Sequence, residues 1–157
     1  MPDIEFRTTS TSSLGAASTP SLGRFASSAA PSTSTGGWLD NLSTADQDGT
    51  VTNYRALIVY NTTGATMNVK VAIAQKPSQA VISIGADTTA ATAIANTLTV
   101  TSPANETTAP TGVTFTTGIL TLGAIGAGEG KAIWIKRTAK GTAAKTGDAL
   151  TIKAYTY

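Results

Sequence analysis

The chain has 157 residues, contains neither cysteine nor histidine, and carries a formal charge of +2. Those two absences exclude disulfides, thiol nucleophiles, His-dependent triads and metal sites built on imidazole or thiolate. Thr, Ala, Gly and Ser make up about half of the sequence and only 13% of it is charged, so the composition favours a binding or building part over an enzyme.

The opening residues, Met-Pro-Asp-Ile-Glu-Phe-Arg, lack a basic stretch followed by an apolar run. They read as something other than a secretory signal, and no run is long enough to cross a bilayer. Synthesis in a cytoplasm is expected, and the sequons at Asn41, Asn61 and Asn105 read as by-products of abundant Thr. Residues 1–50 are rich in Ser, Thr, Gly and Pro without a sustained period. Such a segment on its own cannot bury enough apolar surface to offset its ordering entropy. It nevertheless carries spaced apolar residues: Ile4, Phe6, Leu14, Leu22, Phe25, Trp38, Leu39 and Leu42. The spacing fits an extended arm whose separate anchors seat in a groove. Asp46-Gln-Asp48-Gly49-Thr50 resembles the start of a calcium loop, but Leu57 stands where the bidentate Glu belongs, so a turn into the first strand is expected.

Residues 51–157 read as strands throughout. Asn53–Tyr60 is rich in β-formers. Met67, Val69, Val71 and Ile73 alternate with Asn68, Lys70, Ala72 and Ala74, the period of a half-buried strand. Further strands are expected at Ala80–Ile84, around Leu98 and Val100, at Val113 and Phe115, at Ile119–Leu122, at Ala132–Lys136 and at Leu150–Ala154. The one helical turn is expected within residues 88–96. The fold class is therefore all-β: a single small β-sandwich, immunoglobulin-like or jelly-roll, over residues 51–157, preceded by an extended N-terminal arm and linker over residues 1–50. Its expected core is Leu57, Val59, Val69, Val71, Ile73, Ile82, Ile84, Val100, Val113, Phe115, Leu120, Leu122, Ile133, Ile135, Leu150 and Ile152.

No catalytic motif survives inspection. Gly126-Ala-Gly-Glu-Gly130-Lys131 departs from a phosphate-binding loop at Ile125 and Ala132, and no helix is expected after it. Asp87, Glu106, Glu129 and Asp148 sit in expected loops, with nothing to pair two of them as a glycosidase would require. No enzyme activity, cofactor or metal is expected. Residues 130–157 hold six basic side chains against Asp148, whereas residues 1–129 hold five basic and eight acidic ones. The bias suits an acidic partner or a solubilising, edge-protecting face. The latter is favoured, because aromatics are not interleaved with the basic residues as single-strand binding requires. Trp134 falls on the strand face opposite Ile133 and Ile135. Together with Tyr155 it forms either an exposed aromatic platform or a surface covered by the arm.

A Ser/Thr-rich arm ahead of a small β-sandwich, with no Cys or His, resembles the small virion proteins of tailed bacteriophages, particularly capsid decoration or cement proteins. The stretches Tyr54–Asn61 and Leu120–Thr138 carry most of the likeness. The resemblance implies a structural role on the virion, with the major capsid protein and further copies of the chain, as dimer or trimer, as partners. It implies neither a specific nucleic acid nor a membrane. The expected interface residues are Phe6, Leu14, Leu22, Phe25, Trp38, Leu39, Trp134 and Tyr155. Two alternatives remain open: a tail, baseplate or head-fibre component, and a carbohydrate-binding or adhesive module using Trp134 and Tyr155.

Overall fold

The computed structural model describes residues 3–10, 21–32, 39, 42–93, 99–100, 103–141 and 148–157. In chain order the elements are β1 (Ile4–Arg7), β2 (Thr9–Ser10), β3 (Arg24–Ala26), α1 (Thr44–Asp48), β4 (Thr52–Asn61), β5 (Met67–Gln75), β6 (Ala80–Ala86), β7 (Thr92–Ala93), β8 (Thr99–Val100), β9 (Leu120–Ile125), β10 (Glu129–Ala139) and β11 (Thr151–Thr156).

The strands form a small all-β sandwich. One sheet runs β1-β4-β10-β6, with β7 beside β10, and the facing sheet runs β11-β5-β9. Every pairing is antiparallel. The run β4, β5, β6 steps from sheet to sheet, as does β9, β10, β11, so none of these six strands pairs with its sequence neighbour. Between the sheets lie Leu57, Val59, Ile82, Ile84, Ile133 and Ile135, opposed by Val69, Val71 and Ile125. Burying each such aliphatic side chain is worth roughly 1.5–3 kcal/mol. Ile73, Leu120, Leu122, Leu150 and Ile152 pack around this centre.

β4 is buried over most of its length because both of its faces are covered. Its odd-numbered residues from Leu57 onward face the sandwich interior. Tyr54, Ala56 and Ile58 face the other way and join Ala132, Trp134 and Ala26 in a second core. A third sheet, β2-β3-β8, supplies part of the cover. Val113 and Phe115 supply more of it. A strand was expected at these two residues. Instead they form an irregular cover, tied down where Ile84 and Thr116 exchange two backbone hydrogen bonds of 2.8 Å. Gly85 permits the approach, since a Cβ there would lie 2.6 Å from the Thr114 carbonyl oxygen.

The described parts of the N-terminal arm lie on the chain's own sandwich. β1 pairs with β4 from Ile58 to Asn61, and Ile4 and Phe6 pack on the main core. Beyond β1 the same edge of β4 is closed by other segments. The Ala56 N–H donates to the Ser21 carbonyl at 2.8 Å, and the Tyr54 N–H donates to the Glu106 carbonyl at 2.7 Å. Thr8, Thr9, Ser10, Ser21 and Ser27 are all buried. Their hydroxyls explain the composition: the Ser21 Oγ donates to the Ala56 carbonyl at 2.6 Å and accepts the Thr9 N–H at 2.8 Å. The Thr9 Oγ1 in turn accepts the Gly23 N–H at 2.8 Å. Among the described residues the arm is held both by satisfied hydrogen bonds and by the apolar contacts of Ile4 and Phe6.

Residues 46–50, expected as a turn, overlap the short helix α1 (Thr44–Asp48). Ser43 caps it, and a capping box links Ser43 to Asp46 in both directions. In place of the helical turn expected within 88–96, the described residues form bends and irregular chain at 88–91 and a short strand at Thr92–Ala93. Leu98, like residues 94–97, lies outside the described residues.

Candidate functional site

The expected interface residues are scattered over the sandwich. Phe6 is half-buried on β1, Leu22 and Phe25 are half-buried beside β3, and Leu39 is half-buried. Leu14 and Trp38 lie outside the described residues. Trp134 is 0% exposed, whereas Tyr155 is 39% exposed. Of the two readings of Trp134, the covered one holds: Ala26 of the arm, with Val113 and Phe115, covers its face of the sheet. Sequence alternation placed it opposite Ile133 and Ile135 correctly, but a third layer leaves no trace in a strand's period.

The carboxylates of the loops are engaged in hydrogen bonds and ion pairs within the chain. Asp87 is buried. Its Oδ2 accepts the Trp134 Nε1–H at 2.8 Å and its Oδ1 accepts the Thr89 N–H at 2.8 Å. Glu106 forms an ion pair with Arg55, whose side chain is 1% exposed. Glu129 accepts the Gly126 N–H at 2.8 Å. Asp148 accepts the Ser78 and Gln79 N–H groups at 2.7 and 2.8 Å. Asp87 and Glu129 bind within their own loops, Asp87 also reaching Trp134, while Glu106 and Asp148 tie their segments to Arg55 and to Ser78 and Gln79. Among the described residues, no group of three His, Cys, Asp or Glu side chains could hold a metal ion.

Much of the basic C-terminal stretch is also engaged. Arg137 is buried and its Nη2 donates to the Asn53 Oδ1 at 3.4 Å. Lys131 is half-buried and donates to the Asp87 carbonyl at 2.7 Å and to the Thr89 carbonyl. Burial pushes its pKa below the ordinary 10.5, against the opposing pull of the Asp87 charge. Lys140, though exposed, donates to the Ser78 carbonyl at 3.0 Å. Lys153 is exposed on β11. The net charge of this stretch is consequently a poor guide to its surface, since Arg137 is buried and Lys131 half-buried.

Two surface regions have the character of partner sites. The first is a groove of about 370 Å³ along β1, lined by Ile4, Glu5, Phe6, Arg7, Ser28 and Ala30. Glu5 and Arg7 form an ion pair of 3.1 Å beside it, and the Arg7 guanidinium stacks 3.8 Å from the Tyr60 ring centre. The groove is open and of mixed character, with Ile4, Phe6 and Ala30 beside Glu5, Arg7 and Ser28. The second is the outer surface of β11, where Tyr155 and Tyr157 are 39% and 59% exposed. The Lys70 Nζ stands 3.9 Å over the Tyr157 ring, which holds that ring against the sheet.

No protein-family model matches the chain, and no curated protein or solved structure matches it.

Proposed function

We propose that this protein is a structural part of a tailed-phage particle, binding the assembled capsid as a decoration or cement protein. One observation supports a building role above the others: the side-chain chemistry is engaged in holding loops and layers, while the groove along β1 and the outer surface of β11 face outward. The likeness in texture to small virion proteins supports the shell as the place.

A protein that binds only the expanded shell stabilises it by mass action, and many copies add weak contacts into strong avidity. In this reading a segment of the major capsid protein seats in the groove along β1 through side-chain contacts. Phe6 offers an apolar floor, and the Glu5–Arg7 pair offers polar contacts at the rim. Leu22, Phe25 and Leu39 then help to hold the arm in place on its own sandwich. A tail, baseplate or head-fibre location is the second reading, and position on the particle separates the two. The carbohydrate reading loses its platform with Trp134 buried.

The test is binding of the purified protein to expanded and unexpanded shells of the cognate phage, read by co-sedimentation. Saturable binding to the expanded shell alone is expected. Absence of binding to either shell would remove the cement reading.

A further inference from the structure

The two main sheets have open sides at β1, β6, β9 and β11, and three of them are blunted. β6 is closed at Ile84 by its bridge to Thr116. β9 is bulged where its pairing shifts against Val69 and Lys70, with Gly123 at φ +78°. β1 is four residues long, and the chain that continues it donates the Thr8 N–H to the Ala29 carbonyl at 2.9 Å. Bulges, brevity and covering loops are the ordinary means of protecting an edge. β11 shows none of these three from Ile152 to Thr156, and its one charged residue is Lys153. Its register against β5 is regular there, and no strand among the described residues lies along its outer side.

Which backbone groups face outward follows from the ladder. The Tyr157 N–H donates to the Asn68 carbonyl of β5 at 3.2 Å. By alternation Tyr155 and Lys153 also turn their N–H and C=O groups towards β5. Ile152, Ala154 and Thr156 then direct theirs to the open side. Side chains alternate as well: Ile152 and Ala154 pack on the core, whereas Lys153 and Tyr155 are exposed.

We infer that β11 pairs antiparallel with β11 of a second copy about a two-fold axis at Ala154, joining two three-stranded sheets into one continuous sheet. The register follows from three requirements. The core-facing side must remain the same across the junction, so residues of like parity oppose each other. Outward backbone groups must meet, which sets Ala154 against Ala154 and Ile152 against Thr156 of the second copy. Like charges must not oppose. An axis at Lys153 would place two lysines directly across from each other. The axis at Ala154 instead places each Lys153 opposite the second copy's Tyr155, in a non-hydrogen-bonded pair with Cα atoms about 4.5 Å apart. There an ammonium and an aromatic ring attract one another.

Light scattering after size exclusion tests this with three proteins. The wild type is expected at twice the chain mass of 15.8 kDa. Tyr155→Lys places lysine opposite lysine twice in each dimer and should raise the dissociation constant roughly tenfold or more. Adding Lys153→Glu to that variant places opposite charges across the junction and should restore the dimer. Both side chains are exposed, and circular dichroism with a thermal melt confirms that each variant is folded. A wild type at single-chain mass overturns the inference. So does a dimer indifferent to Tyr155→Lys, or a Tyr155→Lys monomer that the second change fails to rescue. Mass in solution tests this inference and shell sedimentation tests the capsid reading, so the two fail separately.

Discussion

Ser21 shows how a residue typical of low-complexity sequence becomes a structural joint. It is 1% exposed, it adopts φ +55°, and its hydroxyl and carbonyl together satisfy both backbone groups of Ala56. Ser21→Ala removes the hydroxyl and leaves the Ala56 carbonyl and the Thr9 N–H without that partner. A loss of about 1–3 kcal/mol is expected, read as a lowered denaturation midpoint with unchanged slope. Lys131 gives a pH-dependent counterpart. Its folded pKa lies below the ordinary 10.5 because burial disfavours the ammonium. At pH values below the folded pKa both states hold the proton, and the group's contribution to stability is least. As pH rises towards 10.5 the unfolded chain holds a proton that the native state has released, so stability gains. The stability of wild type relative to Lys131→Met should therefore rise with pH across that window. A difference that is flat, or falls, in paired denaturant titrations would contradict the assignment. In the sequence Ser21 looked like filler and Lys131 like part of a basic face, because hydrogen-bond partners distant along the chain leave no local signal.

At the scale of elements, strands with one face exposed were the most legible. β5 showed the period-2 pattern from Met67 to Ile73, and β9 and β11 were placed within a few residues. β4 was recognised by composition alone, since a strand buried on both faces does not alternate. The short helix α1 carried a readable signature, Ser43 followed three residues later by Asp46, but its capping acid was weighed only as a calcium ligand. The expected strand at Val113 and Phe115 failed for a different reason. Its apolar spacing was real, but the second core uses it in an irregular cover above Trp134. Gly85 is the permissive residue at this contact, because an added Cβ would also lie 2.6 Å from the Val113 Cγ1. Gly85→Ala should cost about 1–3 kcal/mol through overpacking. In a Trp38→Phe background, which leaves Trp134 as the one indole, the same substitution should increase quenching of its fluorescence by acrylamide as the cover is displaced. A melt and a quenching curve identical to those of the parent protein would show that the cover yields without cost.

At the scale of the whole molecule, the N-terminal arm, the sandwich and the irregular cover share two cores, so the arm is a layer of the protein. Residues 4–7 extend the main sheet, and Ala26 helps to cover Trp134. The sequence separated the Ser/Thr-rich stretch from the strand-rich remainder by texture. It did not show that buried hydroxyls bind one to the other. The proposed partner surfaces lie on different strands: the groove along β1 for a capsid segment, and β11 for a second copy. That arrangement would let a dimer bridge neighbouring capsid subunits, which is how a small protein reinforces a large shell. The most direct test is electron cryo-microscopy of the cognate virion, comparing expanded shells with their unexpanded precursors. The account predicts density for this chain at regularly repeated positions on the outer face of the expanded shell, and none on the precursor. Density confined to the tail or fibres would contradict it.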